Sequence, residues 1–313
     1  MNDVLKTASN IGIIPVIAIE NADDAVPLAR ALTAGGLPAA EITFRTAAGE
    51  ESIRRVAKEC PEVLVGAGTV LNMDQCRRAL DAGARFIVSP GYNPELVDFC
   101  VKENVVVLPG CVNASDMTRA FNAGLEVVKF FPAEQSGGVG FLKALAPVIP
   151  LKFMPTGGVN TKNLMDYLSF NRIAACGGTW MVKKDLIEGH RWEEITAICK
   201  DAVKTMLGFS LAHVGVNCES EAEAEKAART MCALFGLEYK PGSSSIFAGG
   251  AVEYMKTPYL GRNGHIAIAT NSLDRAVYHL GRQGVEFDES TRKPKAIYLK
   301  DEVAGFAIHL VQK

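Results

Sequence analysis

Apolar positions in the first two thirds of the chain come as short unbroken runs rather than as alternating apolar and polar residues. IIPVIAI (13–19), AAEITF (39–44), VLVGAGT (63–69) and RFIVSP (85–90) are followed by VVVLPG (105–110), EVVKFFP (126–132), LKFMPTGG (151–158) and IAACGG (173–178). Runs of this length, each ending in polar, glycine or proline residues, predict strands buried on both faces, as in a parallel sheet covered by helices. Before three of them an amphipathic helix is closed by a glycine, at Gly35, Gly83 and Gly124. A helix–strand unit repeated at near-constant interval over about 205 residues predicts a (β/α)8 TIM barrel. A doubly wound open sheet is the alternative, but it places polar chemistry at the ends of so many strands less naturally.

The rhythm changes near residues 205–210. The last hundred or so residues hold two copies of a different unit: LAHVGVN, a helix over 221–235 and short strands ending in AVEYM, then GHIAIAT, a helix over 273–283 and short strands ending in FAIHL. The chain is therefore expected to form two domains, a barrel over 1–207 and a smaller α+β domain of two βαβββ modules over 210–313.

Composition narrows the function classes. With 48% hydrophobic residues and 22% charged ones the chain is built to bury a core. A formal net charge of −2 and the lack of a long basic run argue against a nucleic-acid partner. The start, MNDVLKTASN, lacks the basic and apolar regions of a signal peptide, and 13–19 is too short to span a bilayer, so a soluble, cytoplasmic protein without a membrane partner is expected. The eight cysteines form no CxxC pair and lie mostly in apolar stretches, which predicts reduced core residues.

Lys129 stands inside an otherwise apolar strand, EVVKFFP, between Val128 and Phe130. Burial among such side chains disfavours the charged form of a lysine, and a neutral amine attacks a carbonyl carbon. The alternative is a lysine that extends its head out of the strand. Glu41 lies near the end of the second strand, where a carboxylate can carry the protons that imine chemistry must move; its alternative role is an ion pair with Arg45. Arg45 and Thr69 follow the second and third strands. PTGGVN after the seventh strand and CGGTW after the eighth are glycine-rich loops at the two places where such barrels bind phosphate through backbone N–H groups. Either alone is an ordinary tight turn; together they point to a phosphorylated substrate.

These residues resemble the 2-keto-3-deoxy-6-phosphogluconate (KDPG) and 4-hydroxy-2-oxoglutarate (KHG) aldolases, class I lyases with a (β/α)8 fold. The resemblance rests on IPVI (14–17), EITFRT (41–46), VGAGTVLN (65–72), SPG (89–91), KFFPAE (129–134), PTGG (155–158) and GGTW (177–180). It implies that Lys129 forms the Schiff base and Glu41 is the general acid/base. It further implies that Arg45 and Thr69 hold the pyruvate carboxylate, that Pro90 and Phe131 shape the pocket, and that Thr156, Gly157, Gly158, Gly178 and Thr179 bind phosphate. Thr179 departs from the usual serine but keeps the hydroxyl. The implied reaction is reversible cleavage of the phosphorylated keto acid to pyruvate and glyceraldehyde 3-phosphate in a homotrimer, with no cofactor. The galactonate series and hydroxyoxoglutarate stay open as substrates, because stereochemistry at one hydroxyl depends on placements finer than a sequence specifies.

Residues 210–313 resemble the glyoxalase and extradiol dioxygenase superfamily, in which paired βαβββ units place metal ligands on matching strands. The positions that match are His213, Glu253, His265 and His309, three of the five histidines in the chain. Each has a small same-face neighbour two residues away, Gly215, Ala251, Ala267 and Ala307. A divalent Zn, Ni, Mn or Fe ion suits that donor set, although His309 stands where relatives carry a carboxylate. His190 and His279 read as surface residues. Two other function classes stay open: a sugar-acid-binding subunit without catalysis, and a bifunctional enzyme with metal-dependent chemistry in the second domain.

Overall fold

Eight short strands of the first unit carry the positions singled out above in the N-terminal part of the chain within them, as for Glu41, Lys129 and Gly178, or just past their ends. A computed structural model describes residues 2–313, which divide into two compact units, the first ending at Met206 and the second spanning Leu207–Lys313. The strands are β1 (Ile13–Ile17), β2 (Ala39–Thr43), β3 (Leu64–Gly68), β4 (Phe86–Ser89), β5 (Val106–Pro109), β6 (Val127–Phe130), β7 (Lys152–Pro155) and β8 (Cys176–Gly178). Every residue in them except Lys152 is buried, as an apolar run without alternation demands.

Six of these strands form a parallel sheet in the order β5-β4-β3-β2-β1-β8, and β6 pairs with β7. Single bridges, Gly110↔Lys129 and Thr156↔Gly177, connect the pair to the ends of the six. The result is a curled parallel sheet in which β1 pairs with both β2 and β8, an order that a doubly wound sheet does not have. Asparagine side chains repeat as punctuation after β3, β4 and β5: Asn72, Asn93 and Asn113 each accept a backbone N–H three residues on and start the next helix. Gly83 and Gly124 close helices with φ of 98° and 82°. In the first copy the left-handed residue is Gly36 at 90°, whereas Gly35 keeps helical φ. The turn expected at Gly35 is therefore made one residue later.

The second unit is one eight-stranded sheet. It contains β9 (Ser210–Asn217), a helix (Glu221–Phe235), β10 (Tyr239–Pro241), β11 (Ser245–Ala248) and β12 (Val252–Met255). Then come β13 (Gly264–Thr270), a helix (Leu273–Gly281), β14 (Phe287–Lys293), β15 (Ala296–Val303) and β16 (Phe306–Gln312). The order β10-β11-β12-β9-β13-β16-β15-β14 sets two halves side by side, joined by the antiparallel β9–β13 contact. His279, expected at the surface, is instead 3% exposed. It lies three and six residues after Ala276 and Leu273, on the face that their helix buries. His190 is exposed and pairs with Asp24 at 2.9 Å. Among the described residues no helix is long and apolar enough to cross a membrane, and all eight cysteines are free thiols.

Candidate active site

Lys129 and Glu41 meet at the floor of a cavity of about 230 Å³. Each sits at the third position of its strand, β6 and β2. Lys129 Nζ donates to Glu41 Oε1 at 2.9 Å, with the lysine 6% and the glutamate 0% exposed. The lysine thus stays inside rather than extending to solvent, and the partner of Glu41 is Lys129. Arg45, the alternative partner, donates from Nε to Thr43 Oγ1 at 3.2 Å, and Thr43 in turn donates to the Ile17 carbonyl at 2.8 Å. Glu41 Oε2 is buried and has no hydrogen-bond partner. A buried carboxylate oxygen without a donor is a costly arrangement, and it belongs to a residue that lines the cavity.

The walls come from strand ends. Thr69, just past β3, has φ of 57°, a left-handed conformation that a β-branched residue rarely adopts. Phe131 lies with its ring centroid 5.5 Å from Lys129 Nζ, and Pro90, just past β4, lines the same cavity. At the other end stand Thr156, Gly157 and Gly158 after β7, and Gly178 with Thr179 after β8. Gly157 and Gly158 have φ of 99° and 80°, so both need glycine. Thr156 Oγ1 is buried without a partner, in space left free by Gly177, where a β-carbon would stand 2.2 Å away. Every candidate catalytic or substrate-binding residue of the first unit named from the sequence lines this one cavity. Sequence reasoning passed over Val16, Val159 and Gly177, which also line it; all three lie inside motifs already noted, IPVI, PTGGVN and GGTW.

A model of the family described as KDPG and KHG aldolase matches residues 2–198. The chain belongs to the KDPG and KHG aldolase family. The 2-dehydro-3-deoxy-phosphogluconate aldolase of Treponema pallidum is 42% identical over 205 residues, 65% of this chain and 98% of that protein. The KHG/KDPG aldolase of Escherichia coli K12 is 40% identical over 193 residues, 61% and 91% of the two chains. A crystal structure of KDPG aldolase from Legionella pneumophila, with pyruvate captured as a covalent carbinolamine, superposes with a TM-score of 0.62 at 38% identity and covers 64% of this chain and 98% of its own. The family match therefore concerns the first unit.

The second unit gathers a cluster of its own. His213 on β9, Glu253 on β12, His265 on β13 and His309 on β16 converge on one face of the sheet. His265 Nε2 lies 3.0 Å and His213 Nε2 3.3 Å from Glu253 Oε2, and the two nitrogens are 3.2 Å apart. Ring nitrogens of all three histidines lie within 4.8 Å of one another. The register explains the convergence: His265 is opposite Gly215 and Ala307, and Ala267 is opposite both His213 and His309. A β-carbon at Gly215 would stand 2.1 Å from the His265 ring. Burial first, then neighbouring His265 and His213, push His309 down to about 4. Burial pushes the Glu253 carboxyl up, but hydrogen bonds with His213, His265 and Ser245 outweigh it and hold the group well below the usual carboxylate range.

Proposed function

We propose that the first unit is a complete (β/α)8 barrel, closed by the bridges at Lys129 and Gly177, and works as a class I aldolase. It would reversibly cleave 2-keto-3-deoxy-6-phosphogluconate to pyruvate and glyceraldehyde 3-phosphate, and 4-hydroxy-2-oxoglutarate to pyruvate and glyoxylate. The observation that carries this reading is the buried contact of 2.9 Å between Lys129 Nζ and Glu41 Oε1 at the cavity floor.

Glu41 takes a proton from the Lys129 ammonium, and the freed amine adds to the keto carbon. The carboxyl returns that proton to the carbinolamine hydroxyl, which leaves as water. In the resulting iminium the positive nitrogen receives the electron pair of the breaking carbon–carbon bond, while the carboxylate accepts the proton of the C4 hydroxyl. The aldehyde departs, Glu41 protonates the enamine carbon, and water releases pyruvate. The protonated imine is the electron sink, so these steps call for no metal. Arg45 and Thr69 hold the pyruvate carboxylate, the guanidinium through paired donors. Pro90 and Phe131 confine the chain of the substrate. Thr156, Gly157, Gly158, Gly178 and Thr179 receive the phosphate.

Borohydride trapping with pyruvate, followed by peptide mapping, tests this reading, and an adduct on Lys129 is expected. Folded protein that binds the keto acid but gives no adduct would favour a binding subunit instead. A homotrimer and a cytoplasmic location complete the proposal; light scattering of the purified chain tests the former, and the free thiols suit the latter.

For the second unit we propose a glyoxalase-like pair of βαβββ modules holding a divalent ion on His213, Glu253, His265 and His309. Two observations support the fit. Donors bonded at about 2.0–2.1 Å to one ion stand roughly 3.0–3.4 Å from each other, which matches the separations of 3.0 to 3.3 Å found here. Both ring nitrogens of His309 are buried without a partner, an unfavourable state that a ligand would relieve. Bound there, the ion would polarise an oxygen atom beside it. Metal analysis of protein purified without a histidine tag tests the assignment.

A further inference from the structure

The glycine end of the cavity contains no cation: among the lining residues only Lys129 and Arg45 are basic. An anion at that end depends on how well neutral N–H groups are aimed, which makes the support of the loop after β7 decisive. That support is specific. The Gly158 carbonyl accepts from the side chains of Asn160 at 2.9 Å and Asn163 at 3.1 Å. The Glu134 N–H donates to the Gly157 carbonyl at 3.1 Å and the Ala133 N–H to that of Thr156 at 2.8 Å, so the loop after β6 holds the loop after β7. The stem of Glu134 passes beneath Gly158, where a β-carbon would stand 2.4 Å from Glu134 Cγ.

Glu134 is exposed overall, yet its Oε1 accepts a hydrogen bond from the hydroxyl of Tyr167, which is 1% exposed. Burial, then the contact with Glu134, push the phenol above its ordinary range, so it remains a donor. We infer that Tyr167 and Glu134 are a positioning pair for phosphate selectivity. Tyr167 pins the Glu134 side chain under Gly158 and holds its carboxylate back from the arriving phosphate. Without the hydroxyl, the carboxylate is free to swing, the loop loses its floor, and a negative charge moves toward an anion site that has no cation to offset it.

The inference rests on the reading that the glycine end takes phosphate. Its test compares kcat/KM for 2-keto-3-deoxy-6-phosphogluconate with that for the same molecule lacking the phosphate, in the full chain. Tyr167→Phe is expected to raise the KM for the phosphorylated substrate about tenfold, leaving kcat and the unphosphorylated reaction within twofold. Glu134→Ala should behave alike, whereas Glu134→Gln, which keeps an acceptor for Tyr167 and removes the charge, should match or exceed wild-type phosphate preference. An unchanged ratio in both Tyr167→Phe and Glu134→Ala, or equal losses on both substrates, overturns the pair. Pyruvate trapping on wild-type Lys129 reports separately on the aldolase reading. A trapped adduct in a wild-type enzyme without phosphate preference would leave that chemistry standing and overturn the pair.

Discussion

Gly68 and Glu41 share one space: a β-carbon added at Gly68 would stand 2.4 Å from Glu41 Oε1, on strands that pair directly. The glycine is what lets the carboxylate reach Lys129. Gly68→Ala should push the carboxylate off the lysine, lowering kcat about a hundredfold at a stability cost of about 1–3 kcal/mol. Steady-state kinetics beside urea melts separate the two, and a variant that melts early but turns over normally would show that the glycine serves packing alone.

The Lys129–Glu41 pair should show strong coupling in stability as well as in turnover. Removing one member strands the other in a site at most 7% exposed, so Lys129→Met and Glu41→Gln should each cost about 3 kcal/mol. The double variant should lose less than the sum by about 1–3 kcal/mol. Chemical denaturation of the four proteins measures this, and simple additivity would mean that the two side chains do not act on each other.

Cys111 and Cys199 give the first unit an alkaline limit. Burial pushes both thiols from 9.0 up to about 12. The unfolded chain therefore releases these protons first as pH rises. Their contribution is complete below pH 9 and is lost between 9 and 12, at about 1.4 kcal/mol per pH unit for each thiol. Cys199→Ala should make the decline shallower by one such increment in urea melts at pH 8, 9.5 and 10.5.

Metal should act on the second unit as a stabilising ligand. Zinc at about a hundred times its dissociation constant is expected to raise the unfolding free energy of that unit by about 2.7 kcal/mol, and a chelator to reverse the gain. His309→Ala should abolish the response while leaving pyruvate trapping on Lys129 intact. Calorimetry with and without zinc is the check.

Which parts of this were legible before the fold was known follows from the physics of each signal. The strands were, because an apolar run without alternation has few other uses. Lys129 and Glu41 were, because a charge in such a run needs a reason, but their contact across 88 positions was not; it requires the curl of the sheet. Gly36 displaced Gly35 because two adjacent glycines leave the left-handed site undetermined. His279 was misread from its polarity although its spacing from Leu273 and Ala276 placed it on the buried face. Glu134 lay inside the motif KFFPAE, but nothing local tied it to Tyr167, 33 positions away.

The donors of the second cluster divide evenly between the two halves of its sheet, with His213 and Glu253 on β9 and β12 and His265 and His309 on β13 and β16. Neither half alone can present more than two of them. The cluster therefore comes into being only once both halves of the sheet have folded and met at β9–β13, so a fault in either half dismantles the whole of it.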